Sequence, residues 1–256
     1  MHGDKMRKKV IKIRELSYKY PDGTRALDNV DMDVFEGDSV GIIGPNGAGK
    51  STLLFHLNGI LEGQGRISIM GMEIEKQNLA YIRSKVGLVF QNPDDQLFMP
   101  TVFDDVAFGP INMKLTEDQV RETASKALSD VDMSDAAGRS SHHLSFGEKK
   151  RVSLATVLSM HPEILALDEP TSNLDPRHRR ELISLLRQLP LTKVITTHDL
   201  ELVVDTCSRV ALMDGGRVVA SGATRDMLAN KHLLESHHLE VPASLLRERS
   251  YLNSRI

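Results

Sequence analysis

From Val10 to Tyr18 and again from Asp31 to Phe35, apolar and polar residues alternate. That period belongs to half-buried strands, and Pro21-Asp22-Gly23 between the two runs supplies turn chemistry, so the segment predicts a small antiparallel sheet. Ser39 to Ile43 is a short apolar run that stops at a glycine and is followed by a helix-forming segment from Lys50 to Leu57, in the order strand, loop, helix. Further short apolar runs at Val86 to Phe90, Ile164 to Leu167 and Val194 to Thr197 alternate with segments of helical period. Buried parallel strands crossed by helices produce this pattern.

Thr116-Glu117-Asp118-Gln119 has the spacing of a capping box, and Val120, Ala124, Ala127, Leu128 and Val131 then recur at helical intervals. The stretch from about Pro100 to Ser140 reads as mostly helical and separates the first parallel strands from the later ones, the mark of a helical subdomain. Arg209 to Asp214 and Arg217 to Ser221 flank Gly215-Gly216, a two-residue hairpin turn. After Gly222 the sequence predicts short helices with polar faces.

The 256 residues suffice for one large domain, or for one domain with a small appendage. A net charge of -3 argues against a nucleic-acid partner, because such binding needs a basic face that displaces counterions. The one basic run, Lys5, Arg7, Lys8, Lys9 and Lys12 against Asp4, reads as a solvated terminus. Cys207 is the only cysteine, which excludes an intrachain disulfide and suits a reducing compartment. The first residues turn strand-like before any apolar core of a secretory signal forms, and no run approaches the ~18 apolar residues of a membrane span, so any membrane role is expected to come through a partner. Histidines cluster at His142-His143 and at His232, His237 and His238, but no cysteine or carboxylate framework surrounds them, and a solvated face is expected.

Three segments carry chemistry. Gly44-Pro45-Asn46-Gly47-Ala48-Gly49-Lys50-Ser51 fits the phosphate-loop pattern, placed after a strand and before a helix. Its glycines let backbone N–H groups close around phosphate oxygens, Lys50 reaches the β and γ phosphates, and Ser51 ligates Mg²⁺. Ile164 to Leu167 followed by Asp168-Glu169 buries a strand and leaves two carboxylates at its carboxyl end, where parallel sheets bind ligands. There Asp168 would hold Mg²⁺ through water and Glu169 would act as general base on the attacking water. Leu144-Ser145-Phe146-Gly147-Glu148 precedes a helical run, with Ser145 placed as its cap and Gly147 allowing close backbone approach. His198 lies after the strand ending at Thr197 and before Asp199 at a helix start, where a lone histidine by itself says little.

With LSFGEKKR between GPNGAGKST and ILALDEP, and with His198 downstream, the chain resembles the ATP-binding-cassette (ABC) ATPases over nearly its whole length. The family signature is usually written Leu-Ser-Gly-Gly-Gln; Phe146 and Glu148 depart from it, while Ser145 and Gly147 match. The resemblance implies an α/β fold: a P-loop nucleotide hydrolase core with a mixed or parallel sheet, an N-terminal antiparallel β subdomain and a helical subdomain over about 100–160. It implies an ATPase domain over 1–222 and a helical extension over 223–256 that would strengthen subunit pairing. ATP and Mg²⁺ are the implied ligands. Two subunits, either twins or paralogues, would sandwich each ATP between the loop of one, from Gly44 to Thr52, and Ser145, Gly147 and Glu148 of the other. Residue by residue, Tyr20 matches the aromatic that stacks on adenine, Gln91 the glutamine that touches Mg²⁺ and the attacking water, His198 the switch histidine that could hydrogen-bond the γ phosphate, and Ser172-Asn173-Leu174-Asp175 the inter-subunit loop.

Within the family, QNPDDQLFMPTVFDDVAFGPINMKL and the tail from Leu189 to Gly216 are most similar to the energy-coupling-factor ATPases, of the type that energises cobalt or nickel uptake. That likeness implies an integral membrane scaffold subunit, a substrate-capture subunit, and peripheral attachment at the cytoplasmic face of the cell membrane. Vitamin, amino-acid or other small-solute import remains open on the same motifs. Cassette ATPases of DNA repair or translation form the alternative class; they typically carry coiled-coil insertions or tandem cassettes, neither of which is present in this sequence.

Overall fold

A computed structural model describes residues 7–247, which leaves Asp4 and Lys5 of the basic run and residues 248–256 of the expected C-terminal extension outside the described residues. The elements run β1 (Lys9–Lys19), β2 (Arg25–Phe35), β3 (Ser39–Ile43), α1 (Lys50–His56), β4 (Gln64–Ile69), β5 (Met72–Glu73), α2 (Leu79–Lys85) and β6 (Val86–Val89). They continue with α3 (Val102–Asn112), α4 (Glu117–Asp130), α5 (Phe146–Leu158), β7 (Ile164–Asp168), α6 (Pro176–Gln188) and β8 (Thr192–Thr196). The last are α7 (Leu200–Thr206), β9 (Arg209–Asp214), β10 (Arg217–Ala223), α8 (Thr224–Ala229) and α9 (Lys231–Ser236). The described residues divide into two compact units, one formed by those up to Ile82 together with those from Thr192 onward, the other by Arg83–Leu191.

The first unit holds the expected antiparallel sheet, in the order β2-β1-β4-β5. β2 begins at Arg25, six residues before the alternating run that predicted it, because the strand is not regular there. Ala26 and Leu27 are buried side by side, and the β1–β2 register shifts near Glu15 and Asn29, both of which take positive φ. Such irregularity erases the period of two on which a sequence reading depends. β4 was equally hard to see, since only Ile67 and Ile69 of its six residues are buried. In the same unit β3 pairs in parallel with both β8 and β9, and β10 returns antiparallel to β9 through the Gly215-Gly216 turn. The fold class is therefore α/β, with an antiparallel sheet beside parallel strands. α8 packs against α7, β9 and β10 within this unit.

In the second unit β6 and β7 pair in parallel, Val86 opposite Ile164 through Val89 opposite Leu167. α3, α4 and α5 pack on one another, and the stretch expected to be a helical subdomain lies within this unit. The capping box forms as the spacing predicted: the Thr116 hydroxyl accepts from Gln119 N and the Gln119 side chain accepts from Thr116 N at 3.0 Å. Thr116→Ala is expected to lower stability by about 1 kcal/mol in chemical denaturation, with ATPase activity unchanged.

Candidate functional site

In the first unit, the phosphate loop joins β3 to α1. Gly44, Gly47 and Gly49 all have positive φ, 148°, 79° and 95°. A Cβ on Gly44 would lie 2.0 Å from the Met213 carbonyl oxygen, and one on Gly49 would lie 2.3 Å from that of Ala26. The loop is thus pressed against two backbones, and only glycine fits at either position. Lys50, the first residue of α1, is buried, and its Nζ donates to the carbonyls of Gly44 at 2.8 Å and Pro45 at 2.9 Å. A cation held inside the curve of a glycine loop, with Ser51 next in line, fits a nucleotide's phosphates.

Tyr20 follows β1, and its hydroxyl shares a 2.9 Å hydrogen bond with Thr52 Oγ1, which anchors the ring to α1. Thr52, expected among the nucleotide-binding residues, is itself buried. Tyr20 also meets Tyr18 edge-to-face at 5.1 Å, and Tyr18 meets His56 at 5.0 Å. His56 Nδ1 donates to the Thr52 carbonyl at 2.7 Å, and burial holds its pKa below the usual imidazole value against the raising pull of that bond. His198 is exposed, two residues beyond β8. Because β8 runs parallel to β3, with Ile42 opposite Thr196, His198 and the phosphate loop leave the sheet at the same edge. Asp199 caps α7 by accepting from Leu202 N at 3.0 Å.

In the second unit, the adjacent parallel strands β6 and β7 deliver Gln91 and the pair Asp168-Glu169 at their carboxyl ends. Asp168 and Glu169 are only 3% and 7% exposed, so both are acids withdrawn from bulk water. Glu169 has φ 43°, a left-handed conformation that costs a non-glycine residue on the order of 1–3 kcal/mol unless its surroundings fix it. Three donors meet its carbonyl: Lys150 Nζ at 3.1 Å, Ser172 Oγ at 2.9 Å and Ser172 N at 3.2 Å. Lys150 Nζ also donates to the Gln91 carbonyl at 2.6 Å. Burial pushes the Lys150 ammonium down to about 8, although the charges of Asp168 and Glu169 pull the other way.

The segment after Gln91 is fastened to α5 at two further points. Gln96 accepts from Phe90 N at 3.1 Å and donates to Ser153 O at 2.8 Å and Thr156 Oγ1 at 2.7 Å, while Lys149 Nζ reaches Asp94 at 2.6 Å. Sequence reasoning missed Lys150 and Gln96. For Lys150 a signal existed: it shares the stripe of Gly147, Leu154 and Val157 on α5, where a cation needs a partner.

Ser145 caps α5 as expected, in a full capping box: its Oγ accepts from Glu148 N at 3.3 Å and Glu148 Oε2 accepts from Ser145 N at 2.7 Å. That backbone hydrogen bond, foremost, holds the Glu148 carboxyl below the usual range. A Cβ on Gly147 would lie 2.8 Å from ring carbons of His178. His178 Nδ1 donates to Asp175 Oδ2 at 2.5 Å, and Asp175 Oδ1 caps α6 by accepting from Arg177 N at 2.8 Å and His178 N at 3.0 Å. The loop Ser172 to Asp175 therefore connects, within this unit, to the start of α5. Among the described residues, no group of three or more His, Cys, Asp or Glu side chains gathers to hold a metal ion, and His237 instead donates to Asp214 at 2.7 Å.

The family model for the ABC transporter matches residues 27–172. The chain is 47% identical over 239 residues to the energy-coupling factor transporter ATP-binding protein EcfA of Methanothermobacter thermautotrophicus, covering 91% of this chain and 77% of that one. Among solved structures it is similar to cbiO1 of Clostridium perfringens, part of the ABC transporter complex cbiONQ, with TM-score 0.79, 39% identity and coverage of 94% of this chain and 99% of that one. It is also similar to the dimeric post-hydrolysis cassette MJ0796 bound to ADP and Pi, with TM-score 0.75, 27% identity and coverage of 84% and 98%.

Proposed function

The chain belongs to the ABC transporter family of ATPases, which bind ATP with Mg²⁺, and from that premise we propose that it is the motor subunit of an energy-coupling importer for cobalt or nickel. In this reading it works as a head-to-tail dimer at the cytoplasmic face of the cell membrane, bound to an integral scaffold subunit that also carries a substrate-capture subunit. Among the described residues no helix is long and apolar enough to cross a membrane.

The observation that carries the coupling role is an apolar surface next to the Gln91 segment. Phe98 is 62% exposed and stacks edge-to-face on exposed Phe108 at 5.1 Å, and Ile111 near the end of α3 and Met113 just beyond it are exposed as well. Large apolar side chains left in water together mark a docking surface. The same segment is tied to α5 by Gln96 and Lys149, so force applied at Phe98 reaches the residues around Gln91. The double variant Phe98→Asp, Phe108→Ser is expected to keep soluble ATPase activity within about twofold and to lower scaffold co-purification and labelled cobalt or nickel uptake into vesicles at least about tenfold, a loss typical of removing buried aromatic anchors. Unchanged uptake would overturn the docking role. Uptake of a vitamin or amino acid in place of the metals would keep the motor and replace its cargo.

On the nucleotide, Lys50 would neutralise β and γ oxygens, Tyr20 would stack on adenine, and Ser51, Gln91 and Asp168 would hold Mg²⁺, Asp168 through water. The ion those residues would hold would supply positive charge to offset the charge that develops on the phosphate oxygens. Glu169 would take the proton of the attacking water, Gln91 would orient that water, and His198 would donate to the γ phosphate. Ser145 and Gly147 of the second subunit, with Glu148 holding the cap in shape, would complete the donors around the phosphate and exclude water. Lys50→Ala is expected to weaken ATP affinity by about 10- to 100-fold, the value of one or two charge-assisted hydrogen bonds, measured by fluorescent-nucleotide titration.

A further inference from the structure

We propose that Lys150 is a positioning residue: it locks the backbones of Gln91 and Glu169 together from the first turns of α5, so that the rate of hydrolysis depends on it while ATP binding does not. The inference rests on the reading of Glu169 as the base and Gln91 as the residue that orients water.

Lys150 is 2% exposed, yet its ammonium donates to two main-chain carbonyls, Gln91 O and Glu169 O. A buried ammonium is unfavourable for stability compared with a hydrocarbon of the same length, so packing alone does not account for a lysine at this position. What the ammonium supplies is a cross-link between the carboxyl ends of two neighbouring strands, from a point one turn along the helix that Ser145 begins. The Lys150 ammonium also lies over the face of the Phe146 ring, 5.7 Å from its centroid.

Both carbonyls belong to residues whose side-chain direction matters. Glu169 is left-handed, and rotation of its peptide out of that region would swing the carboxylate away from its present course. Ser172 supplies two of the three donors that oppose this, and both come from the chain just downstream. Lys150 is the donor that comes from another element, and it alone of the three also reaches Gln91. Gln91 is exposed and lies on the segment that Gln96 and Lys149 fasten to α5. Without Lys150, the base and the water-orienting residue lose their common reference.

The test uses the full chain and compares wild type, Lys150→Met, Lys150→Gln and Glu169→Gln in kcat, KM for ATP, affinity for a non-hydrolysable ATP analogue and Tm. Methionine fills the volume without a donor, and glutamine is shorter but keeps two. Lys150→Met is expected to lower kcat by about 100-fold, the effect of misplacing a reacting group by about 1 Å, with analogue affinity within about threefold of wild type. Lys150→Gln, being shorter, should recover kcat only in part, to about a tenth of wild type, at unchanged affinity. Near-normal kcat in Lys150→Met overturns the proposal, as does a loss of kcat matched by the same loss of affinity. If Lys150→Met does not fold, Lys150→Gln decides: a reduced kcat at native affinity supports the role, and loss of both or of neither overturns it. Normal turnover in Glu169→Gln would instead remove the assignment of the base, whatever Lys150 does.

Discussion

Glu169→Gln is expected to lower steady-state ATP turnover by about 100- to 10,000-fold, the range for loss of a general base, while ATP continues to bind. The change is nearly isosteric, so the left-handed backbone at Glu169 and the three donors to its carbonyl are retained. What is lost is a carboxylate only 7% exposed, set beside Asp168 at the end of β7. Phosphate release under excess Mg-ATP measures the turnover. With hydrolysis blocked, the closed state that ATP favours should persist, since a ligand shifts an equilibrium by its difference in affinity for the two states and that difference is no longer removed. Light scattering should then report twice the chain mass with Mg-ATP and a single chain without it. No change in mass, with ATP still bound, would mean that a paralogue or the membrane scaffold completes the site.

Gly44→Ala is expected to cost at least about 3 kcal/mol in stability and to abolish ATP binding, as the tail of point-mutant effects allows where a backbone must move. The new Cβ would lie 2.0 Å from Met213 O, a backbone atom held in β9, where Met213 pairs with Val218 of β10, and unable to yield as a side chain would. Gly47→Ala is the internal comparison. Its φ is 79°, but nothing lies within 4 Å of the added carbon, so the cost should be limited to the about 1–2 kcal/mol of left-handed strain. Urea denaturation of both variants separates the two causes. Equal destabilisation would show that conformation, not the contact with Met213, is what requires glycine at position 44.

Much of the candidate site was legible because its parts are contiguous. A loop that must wrap phosphate is written in consecutive residues, and so are two acids at a strand end and a serine followed three residues later by Glu148. Strand and helix positions followed from unbroken apolar runs at β3, β6 and β7 and from helical period at α4. The reading failed at β4 and at the beginning of β2, where register shifts and exposed residues break that period.

The amino-acid sequence by itself determined the class of the fold, the phosphate loop, the acidic strand end, the capped α5 and the family, because each depends on a local backbone conformation that nearby residues dictate. Only the tertiary structure decided that Lys150 reaches Gln91 O and Glu169 O, that Gln96 and Lys149 fasten the Gln91 segment to α5, and that Thr52 anchors Tyr20. These contacts join residues 32 to 60 positions apart; the lone exception spans 19. Their partners are mostly main-chain carbonyls and hydroxyls, groups common enough along any chain that no residue type marks which one a buried donor will meet. Packing brings them together, since a buried polar group must find a partner or remain unsatisfied at a cost of about 1–3 kcal/mol.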